Sequence, residues 1–387
     1  MTEHKPARVG LLSLGVGLAA AGVGAAIGLA AERAAVRRRP DEEPELDGYA
    51  SLRGTARVVS ASDGTALHVE VDEPDPAQAV HDRGRPGPTL VFSHGYCLSM
   101  DSWHYQRKAL RGRFRMVFWD QRGHGRSGVG PAGSATIDQL GEDLHEVLKA
   151  VAPQGPLVLI GHSMGGMTVM SLAERYPQLF RDRVLGVGFV STSAGGLADV
   201  TFGLPRLGRV VQRVAPGAIK ALTRASGLVE RGRRIGSDLE SVVVRRYSYA
   251  SPVPDSLVRF TADMIAGTQL EVVSAFLPTF SEHDKREALA RIDGVEVLVI
   301  VGDSDLLTPV EHSEEIVRRL PGAEFVVVRN GGHLLMLEHH EVVTGHLSEL
   351  IERSMRAQDG AEHPRRGFIR RTVTPLRRRR RRRDGAA

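Results

Sequence analysis

The sequence predicts an α/β fold, a mostly parallel sheet with helices on both faces. Three observations carry that expectation. Leu157–Ile160, Val297–Val301 and Phe325–Val328 are continuous apolar runs. A strand without polar alternation is buried on both faces, as parallel strands are. Such runs alternate with helical periods, as at Ile137, Leu140, Leu144, Val147 and Leu148, and alternation of strands and helices favours a parallel sheet. Finally, the chain has 387 residues, 42% of them hydrophobic, enough for a sizeable core.

In chain order, residues 1–40 form a hydrophobic anchor or signal-like segment, and residues 41–53 an acidic, proline-containing linker. The first part of the core spans 54–195. Ala56–Val59 and Ala66–Val71 alternate in polarity around Asp63-Gly64, which predicts a half-exposed antiparallel hairpin. Thr89–Ser93, Phe114–Trp119, Leu157–Ile160 and Val184–Val190 follow as strands three to six. Residues 196–285 then separate strand six from strand seven, far too many for a bare loop. The spacing of Leu207, Val210, Val211 and Val214 is helical, so this stretch reads as a helical cap that excludes water and shapes a pocket. The second part of the core, 286–358, supplies strands at Val297–Val301 and Phe325–Val328, and 359–387 reads as a disordered Arg-rich tail.

The chemistry starts at Gly161-His162-Ser163-Met164-Gly165-Gly166. An apolar strand precedes it and the apolar helical run Met167, Val169, Met170, Leu172 follows. A G-x-S-x-G sequence in that setting is a sharp strand-to-helix turn that lifts a serine hydroxyl out of the sheet end. Gly161 and Gly165 avoid a collision across the turn, and Ser163 is expected in a strained conformation. An inert serine in a glycine-rich connection is the bland alternative, and the strand and helix on either side count against it.

Such a nucleophile needs an acid and a base, which follow it in that chain order in folds of this kind. His333 lies just past the Phe325–Val328 run, at Asn330-Gly331-Gly332-His333. It stands out by position among fifteen histidines. His162 is expected to point away by strand alternation, and His339, His340 and His346 to be solvated or packed on the last helix. Asp303 and Asp305 both follow the Val297–Val301 run and compete for the acid. The oxyanion site needs two backbone N–H groups. Met164, after the nucleophile, supplies one. Tyr96, in the His94-Gly95-Tyr96-Cys97 loop after strand three, supplies the other, with Gly95 permitting the turn.

Five motifs in order resemble the α/β-hydrolase superfamily, in its cap-bearing serine esterase/lipase-like and C–C hydrolase branch. They are His94-Gly95-Tyr96, Asp120–Ser127, Gly161–Gly166, Gly302-Asp303-Ser304-Asp305 and Gly331-Gly332-His333. The resemblance covers about residues 54–355 and implies an eight-stranded sheet with the cap inserted after strand six. It implies that Ser163, Asp305 and His333 are the catalytic triad, that Tyr96 is the second oxyanion donor, and that Asp120–Ser127 braces the nucleophile end of the sheet. The expected reaction is cleavage of a carboxylic ester, of a small apolar or lipid-like substrate, through an acyl-enzyme. Cofactor-free perhydrolase or haloperoxidase-like chemistry and C–C bond hydrolysis on the same triad are alternatives. A non-catalytic, membrane-tethered scaffold is the alternative of another class. Similar epoxide hydrolases and haloalkane dehalogenases carry aspartate where this chain has Ser163, so those reactions are disfavoured.

No Cys/His spacing points to a metal, no dinucleotide fingerprint follows the first strand, and no cofactor is expected. The single cysteine, Cys97, forbids an intramolecular disulfide and reads as a small buried hydrophobe. The uncharged run Val9–Ala31 is long enough to span a bilayer. A membrane anchor is the expectation; a cleaved signal peptide and a soluble alanine-rich segment are the alternatives. Arg33 and Arg37–Arg39 after the run outnumber Lys5 and Arg8 before it, which places the catalytic part in the cytoplasm. From residue 361 on, 11 arginines face two acidic residues, whereas the whole chain is only +5. The alkaline balance therefore belongs to the tail. Either solvation or attraction to an anionic membrane surface accounts for it. Nucleic acid is a weaker expectation, because no aromatic platform accompanies the arginines. Arg206, Arg209 and Arg213 share a helical face in the cap, read as a solvated face or an interfacial one.

Overall fold

The computed structural model describes residues 48–82, 85–200, 237–292, 294–358 and 369–375. The Val9–Ala31 run, the acidic linker 41–47, the basic face at Arg206, Arg209 and Arg213, and Arg377–Arg383 lie outside these residues. Among the described residues no helix is long and apolar enough to cross a membrane.

The strands are β1 Thr55–Ser60, β2 Ala66–Asp72, β3 His81–Asp82, β4 Arg85–Pro86, β5 Thr89–Ser93, β6 Met116–Trp119, β7 Leu157–His162, β8 Val184–Val190, β9 Glu296–Gly302, β10 Glu324–Val328 and β11 Ile369–Val373. Nine form one sheet in the order β1-β2-β6-β5-β7-β8-β9-β10-β11, and β3 and β4 pair separately. In this sheet β2 runs antiparallel to both β1 and β6 and the other pairs are parallel, while β3 and β4 are antiparallel. The α/β class and the antiparallel opening hairpin agree with the expectation.

The alternation of side chains along each strand builds two cores. Leu157 and Leu159 of β7 pack with Val187, Phe189, Val297 and Val299 on one face. Helices α2 Ile137–Val151, α3 Met164–Arg175 and α8 Val310–Arg319 cover that face with Leu144, Met170 and Ile316. Val158 and Ile160 point the other way, with Phe92, Phe118, Leu298 and Ile300. There α1 His104–Leu110, α9 Leu335–Glu338 and α10 His340–Gln358 supply Leu110, Leu335, Leu347 and Ile351. Thr136 caps α2 by accepting from the Gln139 N–H at 3.1 Å. A short helix, α4 Pro177–Asp182, joins α3 to β8.

After β8 the chain enters the predicted cap. Its described helices are α5 Ser237–Ser248, α6 Asp255–Ala266 and α7 Leu270–Glu282. The chain rejoins the core at an isolated bridge between Gly195 and Asp284. Both ends of the insertion therefore meet beside the sheet.

Two expectations need correction. The main sheet has nine strands rather than eight, and the ninth, β11, comes from within the tail predicted to be disordered. It pairs in parallel with β10, from Glu324↔Ile369 to Val328↔Val373. Arg370 pairs with Glu314 at 3.1 Å and Arg371 with Glu324 at 3.2 Å, so its charges find acidic partners on the folded core. The second correction concerns β2, which is not half-exposed. Leu67, Val69 and Val71 face one core, while Glu70 and Asp72 on the other face are also buried. Arg107 of α1 covers them, reaching Asp72 at 2.7 Å and Glu70 at 2.8 Å. A polar face predicted for solvent is instead closed by one guanidinium.

Among the described residues Asp72 has Arg107 as its ion-pair partner and no other, whereas Glu70 also has Arg126 at 3.6 Å and the Gly54 N–H at 3.0 Å. Arg107→Met should destabilise the protein by about 3–5 kcal/mol, because it leaves the buried Asp72 carboxylate unpaired. Urea unfolding of the variant measures this, and a loss below about 1 kcal/mol, the value of an exposed pair, would contradict the account.

Candidate active site

The candidate nucleophile sits where β7 turns into α3. Ser163 has φ 51° and ψ −118°, a conformation rare for a residue with a Cβ and costing about 1–3 kcal/mol. The expected strain is present. Its N–H donates to the Val190 carbonyl at 3.0 Å. Its carbonyl accepts from the Gly166 N–H at 2.9 Å and from Thr192 Oγ1 at 2.6 Å. A Cβ on Gly161 would lie 2.4 Å from the Gly165 carbonyl oxygen, so the turn is as tight as expected. A Cβ on Gly165 would lie 2.2 Å from the Ser93 carbonyl oxygen. That collision is with the end of β5, not across the turn.

Met164 is the first residue of α3, and its N–H is one of the free donors of the helix start. Tyr96 follows β5 on the neighbouring strand, so the two expected oxyanion donors lie on adjoining loops. Neither backbone N–H donates to another described residue. Gly95 keeps an ordinary φ, while the positive φ of 57° falls on Cys97. Gly95 is required for space instead, since a Cβ there would stand 2.6 Å from His162 Nδ1. The Tyr96 hydroxyl donates to the Val273 carbonyl of α7 at 2.5 Å, tying the loop to the cap. Cys97 is buried, and burial pushes its thiol up to about 12, so it remains a neutral apolar group.

The two aspartates separate clearly. Asp305 is 4% exposed, and its Oδ2 lies 2.8 Å from His333 Nδ1. The same carboxylate accepts the Leu307 and Thr308 N–H groups, each at 2.9 Å, and Thr308 Oγ1 at 2.8 Å. Asp303 is exposed and accepts the Asn330 N–H at 2.8 Å, a loop-capping role. With Nδ1–H held by Asp305, the imidazole presents Nε2 as the free acceptor. No hydrogen bond joins Ser163 Oγ to His333 among the described residues, and such links are often loose before a substrate is bound.

His162 does not point away from the site as alternation implied. It is buried, and its Nε2 donates to the His333 carbonyl at 3.0 Å, which fastens the base loop to the nucleophile strand. Burial holds its pKa well below the usual 6.5, so the ring is neutral. His94 accepts the Gln121 N–H at 2.9 Å, Gln121 returns a bond to the His94 carbonyl at 2.6 Å, and Thr168 of α3 donates to Gln121 at 2.6 Å. The Asp120 carboxylate accepts the Met100 and Arg126 N–H groups at 2.8 and 2.9 Å. Arg122 grips Asp143 of α2 through two bonds of 2.6 Å. The Asp120–Ser127 loop is thus a brace behind the elbow. His339 donates to the Asn330 carbonyl at 3.0 Å and His340 stacks on Tyr105 at 3.8 Å; both pack.

Glu324, His346 and Glu349 bring three ligand atoms within 4.8 Å of one another. Arg353 and Arg371 already pair with Glu324, at 2.8 and 3.2 Å, and the group sits at the end of β10 opposite His333. A cation there would face two guanidinium groups and would be remote from Ser163.

The sequence profile of the alpha/beta hydrolase fold family matches residues 88–340. The chain is 24% identical over 284 residues to 3-oxoadipate enol-lactonase 1 of Acinetobacter baylyi, covering 73% of this chain and 92% of that protein. A thermophilic esterase from Thermogutta terrifontis superposes with a TM-score of 0.58 at 24% identity, covering 78% of this chain and all of that one. A bromoperoxidase from Bacillus anthracis gives 0.61 at 21% identity over 77% of this chain and all of that one. At these identities the two solved structures speak to the fold alone.

Burial depresses His94 and His283 to about 4 and His124 to about 3. The unfolded chain binds protons below about 6.5, before these folded histidines do. Stability should therefore be full above pH 7 and fall as pH drops from about 6.5 toward 4, by on the order of 1 kcal/mol per group and pH unit. Urea midpoints at pH 7.5, 6 and 5 test this; an unchanged midpoint at pH 5 would contradict it.

Proposed function

The chain belongs to the α/β-hydrolase fold family, and on that premise we propose that it is a serine hydrolase cleaving a carboxylic ester through an acyl-enzyme. The observation that carries this reading is the buried 2.8 Å contact of His333 Nδ1 with Asp305 Oδ2, on loops that converge on the strained Ser163 turn. His333 Nε2 takes the proton as Ser163 Oγ attacks the acyl carbonyl. The Met164 and Tyr96 N–H groups stabilise the oxyanion. His333 then delivers the proton to the leaving alkoxide. Water, deprotonated by the same imidazole, attacks the acyl-enzyme, and Ser163 is regenerated with release of the acid.

The groups beside the site favour a small apolar ester. Tyr96 and Cys97 pack with Ile265, Leu270, Val273 and Leu277 of the cap helices. On the acid side, Leu306 and Leu307 pack with Val243 and Tyr247 of α5. Among the described residues both walls are apolar and neither offers a charge to hold an anionic group. The similarity to 3-oxoadipate enol-lactonase 1 adds weight to an ester or lactone bond as the target.

With p-nitrophenyl esters of rising chain length, Ser163→Ala should lower kcat by about 10⁴-fold or more. Asp305→Asn should cost about 10⁴-fold through the wrong imidazole tautomer, while Asp303→Asn stays within a few-fold of wild type. Normal turnover by the Ser163 variant, or the reverse ranking of the aspartates, would overturn the assignment.

The sequence of the two ends also supports attachment to a membrane, by Val9–Ala31 as anchor and Arg377–Arg383 as a contact to anionic headgroups. Deletion of residues 1–40 should release the protein from membranes at high salt, with residual binding to anionic vesicles at low salt. Recovery of the full-length protein in the soluble fraction at every salt concentration would refute the anchor.

A further inference from the structure

We propose that Glu338 is a positioning residue for His333, and that it mounts the base on the cap as well as on the core. The proposal rests on the reading of His333 as the base. Glu338 ends α9, five residues after His333, and its side chain is fully enclosed. One carboxylate oxygen accepts the Gly332 N–H at 2.6 Å. The other accepts the Ala250 N–H at 2.8 Å and also the Ser251 N–H. Gly332 immediately precedes His333, whereas Ala250 and Ser251 follow the cap helix α5. A single buried carboxylate therefore bridges the base loop and the cap.

The residue on the other side of the base is tied to the same turn. The Leu334 N–H donates to the Ser248 carbonyl at 2.9 Å. A Cβ on Gly332 would lie 2.7 Å from that carbonyl oxygen, so the loop and the turn are in direct backbone contact. The base is thus held at three consecutive residues. Gly332 and Leu334 are held by the cap turn, through Glu338 or directly, and the His333 carbonyl is held by His162 of the nucleophile strand. The turn itself is anchored deeper in the cap by the buried bond between the Tyr249 and Thr261 hydroxyls.

The residue type fits the role. Three converging N–H groups call for a group that only accepts, and an ionised carboxylate is the acceptor-only side chain. A glutamine would turn an NH₂ toward at least one of these donors. A cap that shifts must then carry the base with it, so cap position and base alignment are one equilibrium rather than two.

The test uses the full chain. In Glu338→Gln, amide exchange at Gly332, Ala250 and Ser251 should accelerate together. The downfield Nδ1–H proton signal of His333 should weaken or shift. kcat on a p-nitrophenyl ester should fall about 10- to 100-fold, as expected for a misplaced catalytic group, at temperatures well below unfolding. Glu352→Gln, on an exposed carboxylate of α10, should change none of these. Glu338→Asp keeps the charge but draws it back by one carbon, and should give the same coupled pattern if the glutamine variant does not fold. Wild-type kcat and an unchanged His333 signal in a folded Glu338 variant would overturn the proposal. So would faster exchange at Ala250 and Ser251 with Gly332 and His333 unaffected, because Glu338 would then serve the cap alone. The exchange and proton-signal arms do not need turnover. A wild-type protein that hydrolyses no ester would count against the proposed reaction, while these two arms would still decide the role of Glu338.

Discussion

A serine held at φ 51° cannot stay there on its own preference, and much of the surrounding structure serves to hold it. The Ser163 N–H is tied to Val190 at the end of β8 and its carbonyl to Thr192 in the chain that follows. Beneath the turn, Gly161 and Gly165 let α3 approach β5 and β7 more closely than any side chain would permit. Behind it, Gln121 links the β5 loop, the β6 loop and α3 through His94 and Thr168. A strain of about 1–3 kcal/mol persists only where neighbours over-determine the conformation, and here three loops and a helix do so.

The parallel sheet explains why the remaining groups arrive at the same place. β5, β7, β9 and β10 run in one direction, so the loops carrying Tyr96, Ser163, Asp305 and His333 all leave at the carboxyl-terminal end of the sheet. Ligands bind at that end in open α/β sheets. The buried histidines add a second constraint. His94, His124 and His162 are held neutral by burial, so these three rings bring no positive charge to the turn. In the proposed mechanism, a charge developing on His333 would meet Asp305 and no imidazolium from these three rings.

Much of this was legible in the sequence, for a physical reason. β7, β9 and β10 are buried on both faces and so read as unbroken apolar runs, and the loops after them are short enough to name their chemistry. Asp303 and Asp305 were not separable by spacing alone; the separation comes from Thr308, which folds its N–H and hydroxyl onto Asp305. β11 was not legible because Arg370 and Arg371 are poor strand signals, and their acidic partners Glu314, Glu324 and Glu349 lie far back in the chain. β2 looked half-exposed because nothing local announces that Arg107 will cover its polar face. Glu338 left one trace, a lone carboxylate closing the apolar run Leu334–Leu337. A charge in that position asks for buried partners, but only the fold reveals that they are backbone N–H groups of the cap and of the loop before His333.

The central claim is that Ser163 is made nucleophilic by His333 at the carboxyl-terminal end of the sheet. A fluorophosphonate probe followed by peptide mapping tests it most directly. The account predicts a single adduct, on the peptide containing Ser163, and its near-complete loss in a folded His333→Ala variant. Absence of an adduct on the wild-type protein, an adduct on another serine, or equal labelling of Ser163 without His333 would contradict it.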